Sequence, residues 1–171
     1  MNDAVRTESL DSPLVLSREQ DVVAEFLNCY RDSSFRIAMR VLGNVDAAED
    51  VAQEALIRAF KSWDRLAAVD RQAAWVRKVV VRCALNALER TPKHSELPET
   101  TACTKNDEQS VLVQAVLDSL IPEQRLILGL SIGEGLSYQE IAEVLDIPTG
   151  TVASRLNTAK AAFRKAWEGT R

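Results

Sequence analysis

The sequence predicts an all-α protein, two small helical domains joined by a flexible linker, the C-terminal one a helix-turn-helix. Three observations predict this. Apolar residues recur at helical spacing along most of the chain, and no stretch alternates apolar with polar residues as a half-buried strand would. One segment, residues 91–109 (TPKHSELPETTACTKNDEQ), breaks the spacing with two prolines and many polar residues, the composition of a linker. Near the C-terminus, LSYQEIAEVLDIPTGTVASRLNTAKAAFRKAW (residues 136–167) reads as a short capped helix, a tight turn and a second helix.

In chain order, residues 1–18 are polar, contain Pro13 and are expected to form a loose tail. The first domain is expected over 19–91. Its first helix, 19–42, carries Val22, Val23, Phe26, Leu27, Tyr30, Ile37, Ala38 and Val41 on one stripe. Gly43 and Asn44 end it, because both tolerate the left-handed conformation of a C-cap. Asp46, with Glu49 three residues on, resembles a capping box opening the next helix. That helix carries Val51, Ala55, Leu56, Ala59, Phe60 and Trp63. After a polar break at 64–71, a third helix at about 72–90 carries Trp75, Val76, Val79, Val80, Cys83, Ala84, Ala87 and Leu88. Thr91 and Pro92 stop it, since proline disfavours helix in the residue before it.

The linker is expected over 92–109 and the second domain over 110–171. Val111, Leu112, Ala115, Val116 and Leu120 make a short amphipathic helix. Pro122 suits the first position of the next, where its missing N–H costs nothing. Gly133, Glu134 and Gly135 end that helix.

Composition excludes several classes. The chain has 171 residues, 46% hydrophobic and 27% charged, which is globular. No apolar run approaches the roughly 20 residues of a membrane span, and the first residues lack the segments of a signal peptide. A cytoplasmic protein with no membrane insertion is expected. Cys29, Cys83 and Cys103 have no metal-ligand spacing, and His94 stands alone. Cys29 and Cys83 fall on apolar faces and read as buried reduced thiols. No nucleophile–base pair and no metal set emerges, so no catalytic residues, no metal and no cofactor are expected.

Net charge is −4, low for a DNA binder. Its distribution says more. Acidic residues dominate 1–21 and 94–110, and basic residues dominate 22–93. Residues 147–171 hold Arg155, Lys160, Arg164, Lys165 and Arg171 against Glu168 alone. Basic helices are thus separated by acidic connectors.

The helix-turn-helix is the sharpest local signal. Ser137 and Glu140 form the S-x-x-E capping box. Ile141, Ala142 and Leu145 give the first helix its inner face. Asp146, Ile147 and Pro148 make the turn, with Ile147 plugging the core. Thr149 is the expected cap of the second helix, and Val152 and Leu156 its inner face. Thr151, Ala153, Ser154, Arg155, Asn157, Thr158 and Lys160 then point outward. Polar residues at the front of an exposed second helix are what a major-groove reader presents. The basic run beyond Ser154 suits phosphates. A plain helical hairpin with a solvated face fits the same pattern.

Residues 135–156 (GLSYQEIAEVLDIPTGTVASRL) resemble region four of the extracytoplasmic-function (ECF) sigma factors. Residues 46–60 (DAAEDVAQEALIRAF) and 75–90 (WVRKVVVRCALNALER) resemble two helices of the same family's region two. The likeness covers about 22–167, with both blocks in order. The resemblance implies an alternative sigma factor, with core RNA polymerase (clamp of the largest subunit, flap of the second subunit), promoter DNA and an anti-sigma factor as partners. By the same resemblance Asp46, Glu49, Asp50, Gln53 and Glu54 dock on the clamp, where charge complementarity favours fast docking. A solvated helix face is the plain alternative. Arg71, Trp75, Arg77, Lys78 and Arg82, with the loop 64–71, would meet minus-ten DNA and an unstacked base. Trp75 is nonetheless expected in the core, on the stripe with Val79 and Cys83. Thr151, Ser154, Arg155, Asn157, Lys160 and Arg164 would meet the minus-thirty-five element. Glu96, Glu99, Asp107 and Glu108 in the linker would imitate transcript charge, or simply belong to a tether.

The chain departs from the family pattern at five positions. Ala153 and Thr158 replace usual basic residues, Arg82 a usual asparagine, Asn86 a usual aspartate, and Glu89 a usual arginine. Fewer phosphate contacts mean weaker DNA affinity. Two other readings therefore stay open: a stand-alone helix-turn-helix regulator, and a sigma-like interaction protein without promoter melting.

Overall fold

The structure, a computed structural model, describes residues 13–62, 72–90 and 108–170. These residues form α1 (Pro13–Leu42), α2 (Val45–Lys61), α3 (Gln72–Arg90), α4 (Glu108–Asp118), α5 (Pro122–Leu128), α6 (Tyr138–Leu145) and α7 (Thr149–Glu168). A π-helical turn, Gly129–Gly133, extends α5 without a break. The described residues contain no strand, as the periodicity requires. None of their helices is long and apolar enough to cross a membrane. Arg71, Trp63, the remaining 64–71 loop, His94, Cys103 and the linker carboxylates Glu96, Glu99 and Asp107 lie outside the described residues, as do residues 1–12.

Helix ends follow local chemistry, with some differences from expectation. The first helix starts at Pro13, not near residue 19; proline's fixed φ suits a helix start. Gly43 closes α1 at φ 69°, its N–H donating to the Met39 carbonyl at 2.8 Å. The cap of α2 is Asn44, whose side-chain oxygen accepts from the Ala47 N–H at 2.9 Å. Asp46, the expected cap, lies inside the first turn instead, where a carboxylate favours the helix dipole. The fourth helix begins at Glu108, inside the expected linker.

In the N-terminal half, α1, α2 and α3 pack on one another as a three-helix unit. Ile37, Ala38, Val41, Ala48, Ala55, Leu56, Ala59, Val76, Val80 and Ala84 are its buried centre. The alanines let the helix axes approach closely, and Phe26, Tyr30 and Phe60 fill one end with rings 5.1 and 5.7 Å apart. In the C-terminal half, α7 packs on α4, α5 and α6, burying Leu126, Ile127, Leu130, Ile141, Val152, Leu156 and Ala159.

The two halves do not stand apart. Helix α1 packs on α5, and α3 on α6, so that one contiguous hydrophobic core runs through both. Cys83 is buried as expected, and burial pushes its thiol pKa up, with the nearby Arg58 charge pulling the other way. Cys29 corrects the reading from periodicity: it lies on the outer side of α1 and is exposed.

Candidate nucleic-acid interface

The helix-turn-helix forms as the capping chemistry demands. Ser137 accepts from the Glu140 N–H at 3.3 Å, and the Glu140 carboxylate accepts from the Ser137 N–H at 2.8 Å. This reciprocal box satisfies two N–H groups that the first turn leaves unpaired. Asp146 ends α6 in the left-handed conformation, at φ 58° and ψ 44°, which turns the chain sharply. A short polar side chain is among the few that tolerate this backbone. Pro148, not Thr149, occupies the N-cap of α7, and no side chain caps it. Thr149 is the first helical residue.

Helix α7 buries Val152, Leu156 and Ala159 on one line. Opposite that line, Ser154, Asn157 and Lys165 are exposed, while Arg155 flanks them on one side and Lys160 and Arg164 on the other. Thr151 and Ala153 are half-buried near the helix start. A Cβ built on Gly150 would meet open space, so the approach to the front of α7 is unobstructed. Thr158 donates its hydroxyl to the Ser154 carbonyl at 3.1 Å and is already engaged. Lys165, counted in the basic run but not among the expected minus-thirty-five residues, shares this exposed face. Its signal was spacing: it falls eleven residues, three full turns, after Ser154.

Helix α3 offers a second basic surface. Trp75, Lys78, Val79, Arg82 and Cys83 line a shallow cleft with Arg58 of α2. Trp75 packs against the core with one side and lines this cleft with the other, so it is half-buried where a core position was expected. Arg77 and Lys78 are half-buried, and Arg82 is exposed. A ring edge framed by guanidinium groups suits stacking and phosphate contact together.

Helix α2 presents Asp46, Glu49, Asp50, Gln53 and Glu54 on one exposed face, opposite Ala48, Val51, Ala52, Ala55 and Leu56. Glu54 pairs with Arg58 four residues on. Ile57 continues the same face and is 54% exposed, an apolar residue beside carboxylates. Sequence reasoning passed over it, although it falls off the buried stripe.

Between the halves, Glu134 enters a basic niche of α1. Its carboxylate accepts from Ser33 Oγ at 2.8 Å, from Arg36 Nε at 3.0 Å and from Arg36 Nη2 at 3.4 Å; Arg40 Nη1 is 4.0 Å away. The Glu134 side chain is 5% exposed. On the other side of the contact, Lys78 Nζ of α3 lies 3.4 Å from Asp146 Oδ2 in the helix-turn-helix turn.

Known proteins match this arrangement. The family described as "Sigma-70 region 2" matches residues 26–93, and "Sigma-70, region 4" matches residues 110–163. The ECF RNA polymerase sigma factor SigW of Bacillus subtilis is 28% identical over 169 residues, 86% of this chain and 89% of that protein. The ECF RNA polymerase sigma-E factor of Escherichia coli K12 is 30% identical over 134 residues, 67% of this chain and 70% of that protein. The chain belongs to the ECF sigma factors. It is an alternative sigma factor, which binds core RNA polymerase and directs it to promoters. The sigma factor RpoE of Bartonella quintana, solved in complex with the anti-sigma factor NepR, has the same fold. Its TM-score is 0.71 at 20% identity, covering 89% of this chain and 99% of that one.

In this sigma factor the two family regions coincide with the two helical halves, so Glu134 of region four is held by α1 of region two. Burial alone would raise the Glu134 pKa, but the hydrogen bonds from Arg36 and Ser33 and the two arginine charges outweigh it and hold it below the ordinary 4.5. The unfolded chain therefore takes up this proton first as pH falls. The stability Glu134 contributes is complete above 4.5 and disappears as pH drops through its lowered folded value. Urea midpoints followed from about pH 7 to about pH 3 check this: Glu134→Gln is expected to flatten the part of the acid decline that lies below about pH 4.5. A wild-type and variant decline of equal slope rules out the assignment.

Proposed function

We propose that the three exposed helix faces divide the work of initiation. The acidic face of α2 (Asp46, Glu49, Asp50, Gln53 and Glu54, with Ile57) docks on the clamp of the polymerase largest subunit. The α3 residues Trp75, Arg77, Lys78 and Arg82, together with Arg71, engage the minus-ten element and an unstacked base. Helix α7 reads the minus-thirty-five element through Thr151, Ser154, Arg155 and Asn157, with Lys160, Arg164 and Lys165 on phosphates, while the C-terminal domain meets the flap of the second subunit. The observation that carries this reading is the segregation of charge: carboxylates on α2, cations on α3 and α7. Such a chain is steered to a basic protein partner by one face and to nucleic acid by the others.

The protein has no catalytic role of its own in this reading and acts in the cytoplasm, where polymerase and chromosome are. An anti-sigma factor is a further proposed partner, supported by the fold shared with a sigma factor solved with one. Run-off transcription with core polymerase and fragments of the source genome is the test. Discrete transcripts that require the added chain are expected, and failure to bind core polymerase would sink the reading. A sigma-like protein without melting activity is favoured by one observation, the cover that α6 places over α3. Permanganate footprints decide between them, since an open bubble excludes the second.

A further inference from the structure

Phosphate contacts hold any DNA sequence, whereas choosing a sequence needs donors and acceptors that match a base edge. Helix α7 separates the two kinds of contact by angle. At 3.6 residues per turn, Gly150, Ser154, Asn157 and Ala161 fall roughly 130–175° from the buried line of Val152, Leu156 and Ala159. All four are exposed. Arg155 and Lys160 stand only roughly 70° from that line, on opposite shoulders of the helix, and Arg164 roughly 115° from it on the Lys160 side. The outermost line of the front half of α7 therefore holds no cation. Ala153 and Thr158, at its flanks, bring none either. Lys165 shares the outward direction but lies eight residues beyond Asn157, about 12 Å along the axis at about 1.5 Å per residue. The front of a recognition helix meets the bases, so Lys165 is left for a phosphate.

Asn157 is the outward side chain of this front half that carries a donor and an acceptor on separate atoms. Adenine presents the complement in the major groove, N7 as acceptor and the N6 amino group as donor. Guanine presents two acceptors there and would leave the Asn157 carbonyl facing one of them. The neighbours decide whether so short a side chain can reach. A long residue one turn away would hold the helix off the base edges, but Gly150, Ser154 and Ala161 are all small, and a Cβ at Gly150 would meet open space. Thr158 turns its hydroxyl back onto the Ser154 carbonyl at 3.1 Å, so its proton does not compete for a base. The helix can sink until Asn157 touches the base edges, with Arg155 toward the phosphates of one groove wall and Lys160 and Arg164 toward those of the other.

We propose that Asn157 is a specificity-determining residue of this sigma factor: its amide pairs with N6 and N7 of one adenine, so that an A·T pair is required at one fixed position of the minus-thirty-five element. The proposal deepens the reading of α7 as the minus-thirty-five reader and rests on it. Ser154, one turn earlier, adds a hydroxyl that bonds a neighbouring base or phosphate without choosing among bases.

The test takes a promoter from the run-off experiment and randomises its minus-thirty-five segment. Polymerase reconstituted with the full chain binds the pool, and the bound fragments are sequenced. Wild type is expected to favour adenine about tenfold or more over each other base at one position. Asn157→Ala is expected to level the four bases there to within about threefold and to keep the preferences elsewhere. Asn157→Arg is expected to convert the position to guanine, whose N7 and O6 a guanidinium reads. Both variants change an exposed helix position to a better helix former, so folding is spared. Lys160→Ala should instead weaken all sequences alike and lower the salt dependence of binding. Preferences in the segment that include no adenine, an adenine preference that survives Asn157→Ala, or one that Lys160→Ala erases, each overturn the proposal and leave α7 as the reader. A wild-type polymerase complex with no base preference anywhere in the segment overturns the reading of α7 itself, and the proposal with it.

Discussion

Leu156→Ala is expected to lower the thermal midpoint by about 6–12 °C. The side chain is fully buried at the middle of α7, between Val152 and Ala159, in the layer where α7 meets α5 and α6. Removing it leaves a cavity lined by helices that the rest of the core still holds in place, so the site can collapse only in part. Large-to-alanine changes at such sites cost about 2–5 kcal/mol, and a mid-range value of about 3 kcal/mol shifts the midpoint of a chain of this size by about 2–4 °C per kcal/mol. The shared core adds a second expectation. Because α1 and α3 pack directly on α5 and α6, the loss should appear as one cooperative transition moved downward, not as early melting of one half. Far-ultraviolet circular dichroism, followed through the melt, checks both points. A shift under about 2 °C would mean that the α7 seam is not tightly packed.

What the sequence made legible is what local chemistry decides. The spacing of Val76, Val80 and Ala84 marks a buried face, and the Ser137–Glu140 box marks a helix start, because each depends on residues within a few positions of one another. Caps were less legible where several candidates stood in a row. Asn44 and Pro148 hold the positions expected for Asp46 and Thr149, since a shift of one or two residues leaves the apolar stripe unchanged. Cys29 shows the limit of periodicity: a long helix rotates its stripe, and a small apolar residue near its edge can face outward. The packing of the two halves on each other was not legible at all. Periodicity says that a face is covered without saying by what, and Val81 and Val144 look like ordinary additions to broad stripes. Gly129 and Gly133 gave no sign of the Arg40 side chain that lies against them, because that arginine belongs to the first helix, far earlier in the chain. Ile57 escaped for the opposite reason: one exposed apolar residue is commonplace until its neighbours are seen to be carboxylates.

Those carboxylates carry the other large expected effect. Reversing two of them, Glu49→Lys with Asp50→Lys, is expected to weaken binding to core polymerase by about 100-fold and to abolish run-off transcription at limiting polymerase. Both side chains are exposed in the middle of α2, so folding has little stake in them. The lysine introduced in place of Asp50 would sit four residues before Glu54, a neutral to favourable spacing, and helicity should not change. The effect therefore falls on the docked state. Close charge pairs across protein interfaces couple by about 1.5–7 kcal/mol, and each 1.4 kcal/mol or so is a factor of about ten, so two reversals at the low end already reach about 100-fold. The loss should shrink as salt is raised, because exposed charges are screened within a Debye length of about 10 Å at roughly 0.1 M. Ile57→Ala separates charge from contact. It should cost about tenfold in affinity with little salt dependence, as an apolar anchor within a polar rim would. Titration of labelled protein into core polymerase at two salt concentrations measures all three quantities. Binding of the double reversal within about twofold of wild type would remove α2 from the docking surface, and Ile57 would then be an isolated exposed side chain.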